Sequence, residues 1–231
     1  MREVVVFGDQ NSLDFSEVRW NVLRIPEVSL RIERAQKVWD SECRSCFSFQ
    51  HFLSSEDTTF YGNINLKSLS LAIVQLGLLD RYESRFRRPQ YVVGNTQNDS
   101  ALQVVAGKMS FEEMIAQSQA CGALRPLSPL HLASDTILNG RALPSFQAVK
   151  RLDEKIEFVG EADMGLPKVL QVLADTEGVQ KIIHVGPGSM EKSRMPDTLE
   201  ARDIQVVESI DADPMLGWFW VAQRKRELAR A

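Results

Sequence analysis

Apolar and polar positions alternate along the chain in two rhythms, short β-branched runs and longer stretches with helical spacing. "EVVVF" (3–7) is short, β-branched and ended by Gly8 and Asp9, the pattern of a buried strand. In "PEVSLRIERAQKVWDSE", Pro26 stands at the start and Val28, Ile32, Ala35, Val38 and Trp39 recur at helical spacing, which predicts an amphipathic helix. "LKSLSLAIVQLGLLDRY" (66–82) is apolar around most of its circumference and is expected as a buried helix lying against a sheet. "QYVV" reads as the next strand and "NDSALQVVAGKM" as the helix it feeds. "SFEEMIAQSQACG" opens with Ser110 three positions before Glu113, a capping box, and closes on Gly122, a C-cap signal.

From 123 to 165 the periodicity fades: "ALRPLSPLHLASDTILNGRALPSF" carries three prolines and no clean period, and only "KIEFVG" reads as a short strand. The pattern returns in "LPKVLQVLADTEGVQKIIHVGPG", as a helix with proline near its first turn, a turn at Gly178, the strand "KIIHV" and a tight Gly-Pro-Gly loop. "DIQVVESI" is a further strand, and "DPMLGWFWVAQRKRELARA" a terminal helix, apolar first and basic last. Strands alternating with helices predict an α/β fold: a single domain with a mainly parallel sheet flanked by helices on both faces.

The gross numbers fit that picture and remove some functions. At 231 residues the chain can bury one substantial core, as one large α/β domain or two small ones, and no internal repeat or linker divides it. A net charge of −4 gives no basic footprint for nucleic acid. Residue 1 leads straight into "VVVF" without the flanks of a secretory leader, and no run has the length of a membrane span, so a cytoplasmic protein is expected. Three cysteines, Cys43, Cys46 and Cys121, cannot all pair, which suits a reducing compartment. The Cys43-x-x-Cys46 spacing lacks the second pair of a zinc site, and His184, in a strand, reads as a packed residue rather than a ligand; no cofactor or metal is called for. The basic run "RYESRFRRPQ" (81–90) reads as a solvated loop or a surface for an acidic partner, and the aromatic stripe of the terminal helix as core packing.

"YVVGNTQND" (91–99) carries the strongest chemical signal. A buried strand runs into Gly94 and a polar cluster before a helix, the layout of a strand–elbow–helix nucleophile site. Four segments in order resemble the malonyl-CoA:acyl-carrier-protein transacylases and the acyltransferase domains of polyketide synthases. "VVVFGDQNS" is similar to that family's opening strand and F-P-G-Q-G-S-Q loop. "YVVGNTQNDSALQVVAGKMSFEEMI" lines up without a gap on its G-H-S-x-G-E-Y-x-A-L-x-x-A-G segment, "SPLHLAS" resembles the segment around its histidine, and "IIHVGPG" its E-V-G-P-G strand and loop.

The resemblance implies an α/β-hydrolase-like core, a place in fatty acid or polyketide synthesis, and acyl transfer by a Ser–His pair from acyl-CoA to the phosphopantetheine thiol of an acyl carrier protein. It places the nucleophile at Thr96, the general base at His131, and the oxyanion donors at the N–H groups of Gln10 and Gln97. Substrate contacts fall on Asn95, Cys121, Gly186 and Gly188. Three of these positions depart from the family: Thr96 replaces serine, Asn95 histidine, and Cys121 the arginine that grips the malonyl carboxylate through paired charged bonds. Asn98 also stands where the family has glycine. Only eight residues separate Gly122 from His131, where the family inserts a ferredoxin-like small subdomain over the substrate. The expectation is therefore a lidless, catalytically impaired relative that binds a protein partner, an acyl or a pantetheine group. The alternative is a slow acyltransferase or thioester hydrolase using Thr96 and His131. A homodimer through the surface that loss of the lid exposes is a further expectation.

Overall fold

The computed structural model describes residues 2–8, 15–43, 46–55, 62–95, 99–118, 146–151, 156–186 and 205–208. Its elements are β1 (Arg2–Phe7), α1 (Phe15–Trp20), a 3-10 turn (Val22–Arg24), α2 (Pro26–Glu42), α3 (Phe49–Ser54) and α4 (Ile64–Arg85). There follow β2 (Tyr91–Asn95), α5 (Ser100–Val105), α6 (Phe111–Ala116), β3 (Phe146–Arg151), β4 (Ile156–Met164), α7 (Leu166–Thr176), β5 (Val179–Val185) and β6 (Gln205–Glu208). The six strands form one sheet in the order β4-β3-β2-β1-β5-β6.

Four of them, β2, β1, β5 and β6, run parallel, with Val6 opposite Val93 and Phe7 opposite Val185. β3 pairs antiparallel with β2 and β4 antiparallel with β3, so a hairpin extends the parallel core on the β2 side. The mainly parallel α/β domain expected from the pattern is thus observed, with this hairpin added to it.

Side chains of successive strand residues point to opposite faces, and the core divides accordingly. Val5, Phe7, Val92, Val149, Ile183 and Val185 belong to the larger cluster, shared with α2, α3, α4, α5 and α6. Val4, Val6, Tyr91, Val93, Ala148 and Ile182 face the smaller cluster, which α7 covers with Leu166, Val169, Leu170 and Leu173. Covering on both faces explains why β1 reads as an unbroken apolar run instead of an alternating one.

Helix α4 governs the larger layer. Its N-cap is Asn63, whose side chain accepts from the Leu66 N–H, and buried residues run along it from Leu66 to Tyr82. It crosses α2 at Gly77, where a Cβ would lie 2.6 Å from the Val28 Cα, so the two backbones touch. Arg31 of α2 holds Asp80 through two parallel hydrogen bonds beside that crossing. Trp39, Phe47 and Phe49 pack edge-on or tilted, 5.1–5.5 Å between ring centres. Gln36 brackets the same segment, donating to the Phe47 carbonyl and accepting from the Phe49 N–H. The capping box at Ser110 is present, although α6 ends at Ala116 with Gln117 as its C-cap and not at Gly122, which lies outside the described residues.

Candidate functional site at the carboxyl ends of the parallel strands

In open sheets of this kind, ligands bind beyond the carboxyl ends of the strands, where neighbouring connections depart in opposite directions. Here β1 connects towards β2 on one side, while β5 lies on its other side and leads to β6, so the divergence falls beside β1. Continuing the registers Val6–Val93 and Phe7–Val185 by one or two residues brings Gly8, Asn95 and Gly186 level at this edge. Asn95 and Gly186 flank β1 and stand two strand spacings apart, about 10 Å. The antiparallel partner of Asn95 is Phe146, so β3 begins next to the end of β2.

The turn after β2 is built around Asp99. Its Oδ2 accepts from the Asn95 N–H at 3.1 Å and its Oδ1 from the Leu102 N–H at 2.9 Å. Amides seven residues apart, one at the end of the strand and one in the first turn of the helix, therefore converge on one carboxyl group. Asp99 is also the N-cap of α5, satisfying a donor that the first turn leaves free. Gly94 sits directly under it: a Cβ there would lie 2.2 Å from Asp99 Oδ2 and 3.0 Å from the Leu102 Cβ. The glycine that the nucleophile-elbow pattern demands is needed here for close approach of strand and helix. Burial pushes the Asp99 carboxyl up to about 6, against the pull of the N–H groups of Leu102, Asn95 and Ala101, which favour the charged form.

The first loop is tethered as well. Gln75, only 2% exposed in the middle of α4, donates its Nε2 hydrogen to the Gly8 carbonyl at 2.8 Å, and the Gly8 N–H donates to the Val185 carbonyl at 3.3 Å.

Of the residues singled out in the sequence, Asn95 and Gly186 are placed at the ends of β2 and β5, and Gly186 is buried. Thr96, Gln97, Gln10, Cys121, His131 and Gly188 lie outside the described residues, as does the terminal aromatic and basic segment. His184 is buried in β5 opposite Val6, the packed position its strand implied. Cys43 is buried and disulfide-bonded while Cys46 is exposed and free, so the C-x-x-C is not itself a bonded pair, and the disulfide departs from the reduced cysteines expected from the sequence. Among the described residues no cluster of three or more His, Cys, Asp or Glu fits a metal ion, and no helix is long and apolar enough to cross a membrane.

Pattern reading passed over Asp99 and Gln75. An aspartate immediately before a helical run is an N-cap signal, so Asp99 was within reach. Gln75 looks like one polar residue in an apolar helix until Gly8, 67 residues earlier, is seen beside it.

Together, the parallel core, the antiparallel hairpin on its β2 side and the helices on both faces make a single α/β domain consistent with an acyltransferase-like fold. Three solved structures that share it are malonyl transacylases. The malonyl CoA-acyl carrier protein transacylase of Clostridium perfringens superposes with a TM-score of 0.52 at 9% identity, over 100% of this chain and 99% of that one. The acyl carrier protein S-malonyltransferase of Vibrio cholerae gives 0.52 at 11% identity, covering 92% and 99%. A malonyl-transacylase solved in complex with its type II polyketide synthase acyl-carrier protein gives 0.52 at 10%, covering 90% and 95%. No family model matches the sequence, and no curated protein does. Identities this low speak for the fold alone.

Proposed function

We propose that this chain is an acyltransferase-like binding protein: a single domain, lacking most of the small subdomain between 122 and 131, that holds a pantetheine or acyl group and its carrier protein without efficient transfer. The observation that carries this reading is the turn after β2. Its frame is kept, with Gly94 under the Asp99 carboxyl and Asn95 tied to it, while the sequence inside the frame puts threonine where the resemblance calls for serine. A β-branched residue is poorly suited to a strained elbow, and a cysteine at position 121 offers no paired charged donors to a malonyl carboxylate. One structural neighbour is a transacylase bound to its acyl-carrier protein, which supports a carrier protein as the partner.

Intact mass after incubation with malonyl-CoA or acetyl-CoA tests the impairment, and calorimetry with CoA or a holo carrier protein tests the binding. Binding without a covalent adduct is expected. A stoichiometric adduct that disappears in Thr96→Ala overturns the impaired reading, and absence of any binding overturns the binding one.

The retained frame also favours a second reading, slow acyl transfer or thioester hydrolysis with Thr96 as nucleophile, His131 as base and the Gln10 and Gln97 amides as oxyanion donors. That reading requires turnover lost in both Thr96→Ala and His131→Ala.

A further inference from the structure

The two tethers at the carboxyl edge have a common design. Each is a polar side chain reaching from a helix to the backbone at which a loop leaves the sheet: Gln75 of α4 to the Gly8 carbonyl, and Asp99, the N-cap of α5, to the Asn95 N–H. Neither is what packing alone selects. Gln75 lies between Val74 and Leu76 in a buried stretch of α4, where an apolar side chain would avoid desolvating an amide. Capping of α5 needs only the bond from Asp99 Oδ1 to the Leu102 N–H, which a serine also provides; the second oxygen is committed to the strand. Ser70, five residues before Gln75 on the same helix, shows the contrast: it is fully buried, and its hydroxyl has no hydrogen-bond partner.

We infer that Gln75 and Asp99 are positioning residues for the ligand of the carboxyl edge, Gln75 fixing the backbone at Gly8 just after β1 and Asp99 that at Asn95, the last residue of β2. The inference rests on the proposed reading of this edge as a binding site. The Gly8 carbonyl is held by Gln75 while its N–H bonds the Val185 carbonyl, and Asp99 joins Asn95 to the first turn of α5. With two adjacent take-off points held from below, the ligand does not have to order them on binding, which is the physical meaning of preorganisation.

The test uses the full chain and three variants, Gln75→Met, Asp99→Ser and Ser70→Ala, read by amide hydrogen exchange and by calorimetric titration with CoA. Methionine fills the glutamine's volume without its donor, and serine keeps the helix cap without the strand bond. Gln75→Met is expected to speed exchange at least tenfold from Gly8 onward, and Asp99→Ser to do so at Asn95, with Leu102, α2 and β5 unchanged. Both variants are expected to weaken CoA binding at least fivefold, while Ser70→Ala changes neither readout. Exchange that stays at the wild-type level at both loops, or rises evenly through the whole domain, overturns the positioning role. So does a wild-type affinity in variants whose loops have loosened. If the loops loosen locally and the wild-type chain binds no CoA, the inferred tethers stand and the proposed ligand reading falls.

Discussion

At the amino ends of the parallel strands, charged groups do the fastening. Glu177 accepts from the Tyr91 hydroxyl and from Lys150 Nζ, and its carbonyl takes the Arg2 guanidinium. Glu3 binds both the Tyr82 hydroxyl, at 2.8 Å, and Lys181 Nζ, at 3.1 Å. At the carboxyl ends, among the described residues, no ion pair spans the edge, and single tethers from Gln75 and Asp99 hold the backbone instead. Networks of paired charges suit an end whose only task is to stay closed. On the proposed reading of the carboxyl edge as a binding site, tethers that reach the backbone from below leave its rim free.

Glycine substitutions sharpen the contrast most. Gly94→Ala drives a Cβ into the Asp99 carboxyl and the Leu102 side chain, and overpacking of this kind is expected to cost about 3 kcal/mol, read as a shifted urea midpoint. Gly178, in the turn at the opposite end, has φ +65° with nothing near its Cβ position, so Gly178→Ala meets only the left-handed backbone penalty, about 1 kcal/mol. Equal losses at the two positions would erase the distinction between a packed elbow and a free turn.

Acid titration separates the edges by sign. The Asp99 carboxyl lies at about 6 in the folded chain against an ordinary value of 3.8, so the folded state holds its proton more tightly. Its stabilisation is complete below the ordinary value and is lost as pH rises through 6, about 2–3 kcal/mol in all. Denaturation of wild type and Asp99→Ser across pH 4 to 7 should show that component only in the wild type. Glu177 has the opposite sign: the Tyr91 hydroxyl first, then Lys150, hold its carboxyl below the usual range. Its contribution is present above the ordinary glutamate value and disappears as pH falls through the lowered one. Glu177→Gln is expected to cost about 1 kcal/mol at neutral pH and to flatten the acid limb of the stability curve. An unchanged acid limb would remove Glu177 from the fastening.

How much of this was visible in the sequence follows from the range of the interactions involved. Helix α2 was read from Pro26 and its spaced apolar residues, and the structure places it at Pro26–Glu42. The Ser110 capping box was equally legible because both partners lie within one turn. The helix predicted at 66–82 is one turn longer at its C-terminal end and starts at Ile64 behind its Asn63 cap. β3 was missed: "FQAVKR" follows a proline-rich stretch and offers a small alanine where a strand signal needs a branched side chain, so pairing with β2 and β4 makes it a strand. α1 and α3, six residues each, are too short for a helical period to repeat. At the site, Gly94 and the strand before it could be read locally. The grip of Asp99 on Asn95, and that of Gln75 on Gly8, depend on where the chain returns after folding.

The placing of β1 at the centre of the sheet has a consequence for the order in which the molecule can assemble. Its two neighbours are β2 and β5, and the Glu3–Lys181 contact joins residues 178 positions apart. Nearly the whole described chain must therefore emerge before the middle of the sheet can close. Until then "VVVF" waits with an unoccupied flank, so refolding should be slow, as for other topologies dominated by distant pairings, and sensitive to protein concentration.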